Sequence, residues 1–147
     1  ALVCTDDRYL RAEGLPLSIL RGCVPVDVSV YDVPKRIKDG GSVPTATFQE
    51  VFGKTEASQR DLSPVTHVAS GKGIPPFLIL HIVDRDHPET QSQAERFAQV
   101  LRAAAVPART YGAAGKDHST LNNDLGLPDD KPTSELFEFL SRVSRRQ

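Results

Sequence analysis

The length, composition and charge of the chain describe one ordinary domain. Its 147 residues suffice for a buried core, and 39% apolar with 25% charged residues are typical of a soluble globular protein. Eighteen basic against nineteen acidic residues give a formal net charge of −1, which argues against nucleic acid as a partner, since such partners select a basic surface. No apolar run approaches the length of a membrane span and no segment resembles a signal peptide, so we expect a cytoplasmic protein.

The first half of the chain predicts a helix, a strand and a long excursion. Residues 1–12 are typical of the tail of a helix that has already begun, because no N-cap residue precedes the apolar start. The apolar run at 22–30 predicts a buried strand despite Pro25. The segment 33–61 is rich in Gly, Pro and charge and contains one short predicted helix, at 47–52. Excursions of this length in compact domains are usually lids or binding loops.

The second half predicts strands that alternate with helices. The run "PFLILHIV" at 76–83 has the length and continuous apolarity of a strand covered on both faces. A helix at 90–105 follows, and a third strand is predicted at 106–114. This alternation predicts an α/β fold with a mostly parallel sheet flanked by helices. A final amphipathic helix has apolar positions at Leu136, Phe137, Leu140 and Val143.

Polar loops follow the last two predicted strands. "DRDHPE" begins at residue 84, and "GKDHS" begins at residue 115. Both loops should open on the same rim, because ligands of parallel sheets bind beyond the carboxyl ends of the strands. A carboxylate on one loop and a histidine on the other are two members of a hydrolytic triad, in which the acid orients the imidazole. Asp and His are also common in solvated loops, so this spacing alone does not establish catalysis.

A set of ordered landmarks extends the pattern beyond these two loops. A predicted strand ends in Tyr31-Asp32, Ser63-Pro64 precedes the strand that follows Pro75, and then come the acid loop, a Gln-bearing helix and the His loop. In order and spacing, residues 15–143 resemble the C-terminal half of an α/β-hydrolase of the esterase and lipase group, near the carboxylesterases and the feruloyl- and acetyl-esterase-like enzymes. The resemblance implies one domain over 1–147, with three strands of the α/β-hydrolase sheet in this chain and a cap or lid at 33–61.

The resemblance also implies a Ser-Asp-His triad of which this chain supplies the acid. In the family the acid precedes the Gln of the following helix. Asp84 stands seven residues before Gln91, and Asp86 stands seven residues before Gln93. The family's Gln lies four residues before the first core-facing apolar position, here Phe97, which favours Gln93 and therefore Asp86. Asp84 remains the alternative.

The triad histidine implied by the resemblance is His118, which follows the last predicted strand. His67 and His81 precede or lie within a strand. His87, in the acid loop, is either a substrate contact or a solvated side chain. Asp117 is interpreted as a solvated charge, because a residue adjacent in a loop rarely folds back onto its neighbour's ring.

The nucleophile of the family is not found in this sequence. Neither a G-x-S-x-G elbow nor an HGGG-type oxyanion loop occurs in the 147 residues, and Ser42 and Ser70 do not stand between a strand and a helix. Triad members of this fold occur in the order Ser, Asp, His. We therefore expect the chain to begin after the serine, and the N-terminal half of the same hydrolase, on the same precursor or a second chain, to be its partner. An unpaired sheet edge at 22–28 should then favour self-association, for example as a homo-oligomer.

The function implied by the resemblance is that of an esterase- or lipase-like carboxylic ester hydrolase. It would act on a small-molecule ester without a metal or an organic cofactor. The alternative is a non-catalytic binding or structural module with the same fold, and a G-x-S-x-G upstream of Ala1 would favour the enzyme. A nucleotide-binding role is disfavoured because no G-x-G-x-x-G follows a strand. Phe48, Val51 and Phe52 are candidate pocket walls, with core packing as the alternative.

The two cysteines carry no recognisable metal or redox motif. Cys4 and Cys23 are not spaced as C-x-x-C, and no histidine lies near them at zinc-ligand spacing. We expect two buried thiols in a reducing compartment, with a disulfide as the alternative.

Overall fold

The computed structural model describes residues 1–41, 43–86 and 88–145. Ser42 and His87, two side chains considered above, lie outside the described residues. Among those described, no helix is long and apolar enough to cross a membrane.

Two parallel strands form the centre of the fold. Strand β1 is Phe77–Ile82 and strand β2 is Ala108–Ala113, paired in register from Phe77 with Ala108 to Ile82 with Ala113. All six residues of β1 are buried, as its continuous apolar run predicted. The fold is therefore α/β with a parallel sheet, as expected from the alternating pattern.

The expectation of three strands was wrong, because residues 22–30 do not form one. Residues 22–27, which we call the bridge segment, make two isolated parallel bridges to β1, Cys23 with Phe77 and Val26 with Leu80. Pro25 lies between the bridges and has no N–H, so one ladder hydrogen bond is missing. Asp27 then adopts a φ of 47°, which ends the extended conformation.

Eight helices surround these strands in the described part of the chain. The predicted helices at 1–12, 47–52, 90–105 and the C-terminus are all present with shifted bounds, the first of them divided in two at Asp6. The segment 33–61 contains three short helices, where one was predicted. The helices are α1 Leu2–Thr5, α2 Asp7–Ala12, α3 Val33–Asp39, α4 Thr45–Phe52, α5 Glu56–Asp61, α6 Pro88–Ala103, α7 His118–Asn123 and α8 Lys131–Ser144.

The core lies on both faces of β1, which places successive side chains on opposite sides. Phe77 and Ile79 pack with Phe97 and Leu101 of α6 on one face. Leu78 and Leu80 pack with α8 on the other face. The α8 residues that are buried there are Phe139 and Val143, whereas Phe137 and Leu140 of the predicted apolar stripe are exposed.

Candidate active site

His118 is the first residue of α7 and follows the loop that leaves β2. The Asp117 carboxylate accepts a hydrogen bond from the Thr120 N–H at 2.8 Å, and the Asp117 N–H donates to the Thr120 hydroxyl oxygen at 2.9 Å. This is a capping box, and the hydrogen bonds from Thr120 lower the pKa of Asp117. Asp117 is thus not merely a solvated charge: it fixes the start of the helix that carries His118.

A partly buried ion cluster holds the same loop. The Lys116 ammonium lies 2.8 Å from the Asp124 carboxylate and 2.6 Å from that of Asp130, which is the N-cap of α8. Hydrogen bonds to these two carboxylates raise the pKa of Lys116. Lys116 therefore attaches the His118 loop both to the end of α7 and to the start of α8.

The imidazole of His118 is paired with Asp27. Its Nδ1 lies 2.8 Å from Oδ2 of Asp27, whose side chain is 3% exposed against 71% for His118. The other oxygen, Oδ1, accepts the Ile82 N–H at 3.0 Å. Both carboxylate oxygens are thus occupied, as a buried carboxylate requires, and the two contacts fix the orientation of the acid.

The backbone explains why Asp27 reaches this position. The amides of Leu78 and Leu80 donate to carbonyl oxygens of the bridge segment, of Cys23 and Pro25 respectively. The next amide that faces this segment, that of Ile82, meets the Asp27 side chain instead of a carbonyl. The left-handed conformation of Asp27, which Asp tolerates better than most residues, accompanies this change of acceptor from a backbone carbonyl to a side chain.

Neither predicted acid is in contact with His118 in the described residues. The Asp84 carboxylate accepts the backbone N–H of Asp86 at 2.8 Å, and the Asp86 side chain is exposed on the same loop. The expected pairing of His118 with Asp86, or with Asp84, is therefore replaced by a pairing with Asp27, one sheet segment earlier in the chain. A sequence signal was present, because Asp27 follows the apolar run 22–26 much as Asp84 follows 76–83.

The glutamine used to select Asp86 has a structural role. Gln93 is buried, and its Oε1 accepts the N–H groups of Tyr31 and Asp32 at 2.9 and 3.0 Å. The Tyr31 ring stacks on Phe97 with ring centroids 4.5 Å apart. Gln93 therefore attaches the chain beyond the bridge segment to α6.

The remaining described histidines contact nearby carbonyl oxygens, and His67 also lies 3.8 Å from the Asp6 carboxylate. Nδ1 of His81, which is buried, lies 2.8 Å from the Ile82 carbonyl oxygen, and Nε2 of His67 lies 2.7 Å from that of Asp61. For His118, by contrast, no described residue bonds Nε2.

A cavity of about 330 Å³ opens beside the His118–Asp27 pair, a volume at the lower end of the range of small-molecule sites. Arg36, whose side chain is 1% exposed, contributes to its wall and pairs with Glu89 at 3.2 Å. None of the three predicted wall residues lines this cavity, which are Phe48, Val51 and Phe52. The Phe48 ring lies instead under the Arg36 guanidinium. The residues that line it are Asp27, Ser29, Arg36, Val43, Ile82, Glu89, Thr90 and His118.

Solved esterase structures resemble this fold. Esterase 2 of Thermogutta terrifontis, phosphonylated by sarin, matches with a TM-score of 0.55 and 18% identity over 83% of this chain and 42% of its own. Its butyrate-bound form matches with a TM-score of 0.55 and 20% identity over 83% of this chain and 42% of its own. EstE5, soaked with p-nitrophenyl butyrate, matches with a TM-score of 0.58 and 16% identity over 92% of this chain and 46% of its own. No protein-family model and no curated protein matches the chain.

These similarities define the class of fold. The chain has an esterase-like α/β-hydrolase fold and spans less than half the length of the esterases it resembles. At such identities the likeness carries the fold and not the activity.

Proposed function

We propose that the protein is a carboxylic ester hydrolase with a Ser-Asp-His triad, in which this chain supplies His118 as the base and Asp27 as the acid. The observation that supports this is the 2.8 Å contact between His118 Nδ1 and the buried Asp27 carboxylate beside a cavity, on an esterase-like fold. The serine would come from the N-terminal half of the same hydrolase, which is the proposed partner. No step requires a metal or an organic cofactor.

In the proposed mechanism each group has a task. With Asp27 bound to Nδ1, the imidazole carries its proton there and presents an unprotonated Nε2. Nε2 takes the proton of the serine hydroxyl as the oxygen attacks the ester carbonyl, and then returns it to the departing alcohol. A water molecule then attacks the acyl-enzyme, with Nε2 again taking the proton and returning it to the departing serine oxygen. Asp27 stabilises the transient imidazolium, and the Ile82 N–H keeps the carboxylate in place.

The base assignment is tested with His118→Gln in the full-length protein. We expect kcat for p-nitrophenyl butyrate to fall by about 10⁶-fold, the loss typical of removing a triad histidine, with KM changed little. His67→Gln is the matched control, because His67 does not line the cavity and contacts the Asp61 carbonyl oxygen and the Asp6 carboxylate instead. Turnover by His118→Gln within a few-fold of wild type would overturn the assignment.

The acid assignment is tested by comparing three Asp→Asn variants, at positions 27, 84 and 86. We expect Asp27→Asn to lose about 10³- to 10⁴-fold in kcat, because an amide no longer selects the required tautomer of His118. Asn retains an oxygen for the Ile82 N–H, so the fold should be preserved. Asp84→Asn and Asp86→Asn should stay within a few-fold of wild type. A large loss in Asp86→Asn alone would return the acid role to that residue.

An organophosphonate probe separates the enzyme from a non-catalytic module with the same fold. An enzyme with an activated serine should gain one phosphonyl group per full-length molecule, visible by intact mass. The gain should be much slower in His118→Gln, because the hydroxyl then has no base. A full-length protein that the probe never labels would favour the module.

A further inference from the structure

The cavity beside His118 has polar groups in its wall that no described residue bonds. The Nε of Arg36 is buried and has no acceptor in the described part of the chain. The hydroxyl groups of Ser29 and Thr90, on the same wall, also make no hydrogen bond to a described residue, and Thr90 is 6% exposed. Buried polar groups in native proteins are nearly always bonded to protein, water or a ligand. These groups therefore favour a polar occupant for the cavity.

The Arg36 side chain is held closely in its place. Its Nη1 donates to the Gly40 carbonyl oxygen, and its Nη2 donates to the Glu89 carboxylate at 3.2 Å. The Phe48 ring centroid lies 5.1 Å from Cζ, and a Cβ added at Gly41 would come within 2.7 Å of Nη1. Two of the three guanidinium nitrogens are thus bonded within the chain, and Nε is the one that remains.

The charges on the wall favour a neutral oxygen over an anionic group. The charged side chains described there are Arg36, Glu89 and Asp27. The Arg36 guanidinium already pairs with Glu89, and Asp27 adds a second carboxylate. A carboxylate on the ligand would therefore meet two like charges and one cation that is already paired. A hydroxyl or carbonyl oxygen can accept from Nε without this repulsion.

We propose that this cavity binds one arm of the ester substrate through a neutral hydroxyl or carbonyl oxygen, which accepts hydrogen bonds from Arg36 Nε and from the Thr90 hydroxyl. This inference rests on the proposed ester hydrolase function and names its substrate class, which is hydroxy- or oxo-substituted esters rather than plain alkyl esters. A plain alkyl arm would leave the same polar groups without partners, and such a loss is the basis of strong discrimination between substrates.

The test compares matched pairs of esters with the full-length protein. Methyl 3-hydroxybutyrate and methyl 3-methylbutyrate differ by one hydroxyl on the acyl arm, and 2-hydroxypropyl butyrate and isobutyl butyrate differ in the same way on the alcohol arm. After each kcat/KM is divided by the rate of hydroxide-catalysed hydrolysis, we expect the hydroxy ester to exceed its partner by about tenfold or more in one pair. Ratios within about twofold in both pairs would overturn the proposal. A preference for the anionic monomethyl ester of succinate over methyl 3-hydroxybutyrate would also overturn it.

Variants test the two residues that should make the contact. Thr90→Val keeps the size of the side chain but removes the hydroxyl, and Arg36→Lys places a CH₂ group where Nε–H stands while keeping a cation for Glu89. We expect the preference for the hydroxy ester to fall to about one in each variant. Thr47→Val, at an exposed position of α4, is the matched control and should keep the wild-type preference. A wild-type preference in those of the two cavity variants that fold would overturn the proposal.

Binding separates this inference from the proposed function. If the full-length protein hydrolyses none of these esters, the ester hydrolase proposal fails, and the same pairs are compared by Kd, measured from the amide chemical shift of Ile82 in the cavity wall. A hydroxy ester that binds about fivefold tighter than its partner to the wild type, and no tighter to Thr90→Val, would support a neutral polar ligand for this cavity. Equal Kd values within both pairs would overturn it.

Discussion

Asp27 and His118 form one contact, but their surroundings give them different consequences for stability. The Asp27 carboxylate is buried and is the acceptor for the Ile82 N–H, whereas the His118 ring is mostly exposed. Removing a buried acceptor leaves its donor unsatisfied, which costs more than the bond itself contributed. Asp27 should therefore contribute to the stability of the fold, and His118 should contribute little to it.

A stability comparison follows at these two residues. We expect Asp27→Ala to lower the free energy of unfolding by about 1–3 kcal/mol, because it leaves the Ile82 N–H without its acceptor and places alanine in a left-handed conformation. His118→Ala should change it by less than about 0.5 kcal/mol. Urea denaturation measures both, with Asp27→Asn as the control that keeps an acceptor oxygen. Equal losses in the two alanine variants would contradict this division.

At the scale of elements, α6 connects the site to the rest of the sheet through one side chain. The Gln93 amide oxygen accepts two backbone N–H groups from the chain that follows the bridge segment. A leucine of similar size would fill the space but leave both donors without a partner in a buried position. Helix α6 therefore holds this segment by hydrogen bonds as well as by apolar packing.

We predict that Gln93→Leu lowers the free energy of unfolding by about 2–4 kcal/mol, the cost of two unsatisfied buried donors. Gln99→Leu, on the exposed face of the same helix, is the matched control and should change it by less than about 0.5 kcal/mol. Thermal denaturation of the two variants under one set of conditions makes the comparison. If both behave alike, the two hydrogen bonds contribute little.

The elements that were predictable from the sequence are those whose pattern is local. Strand β1 was evident from an unbroken apolar run, and α6 from its periodic core face, since each depends on neighbours within one element. The bridge segment has an apolar run too, but a single missing N–H at Pro25 divides its ladder. Of the three short helices in 33–61, α4 was predicted, whereas α3 and α5 were not, because their signals were the caps Asp32 and Thr55 rather than periodicity.

The site was predictable only in part, for a related reason. The position of His118 follows from the order of the last strand and its loop, which is local information. The contact with Asp27 joins residues 91 positions apart, and it depends on a backbone turn that no periodic pattern encodes. The position of Gln93 relative to Phe97, taken from the resemblance to the family, therefore led to Asp86 on the neighbouring loop and not to Asp27.

At the scale of the whole molecule, the bridge segment leaves one edge of the sheet open. Cys23, Pro25 and Asp27 direct backbone groups toward β1, so the alternate residues, Val24 and Val26, direct theirs to the opposite side. No described residue bonds those groups. The first twenty residues also expose large apolar side chains, which are Val3, Tyr9, Leu15 and Ile19. An open sheet edge favours pairing with another strand.

We therefore predict that the amide hydrogens of Val24 and Val26 exchange rapidly in a dilute solution of this chain. They should slow by about a hundredfold or more when the N-terminal half of the hydrolase is added, or at concentrations where the chain forms homo-oligomers. Residue-resolved hydrogen exchange by NMR measures this directly. The amides of Leu78 and Leu80 are internal controls, because they already donate to the bridge segment and should change far less. Slow exchange of Val24 and Val26 in a dilute monomer would show that the edge is closed within the chain, and would remove the reason to expect a partner strand there.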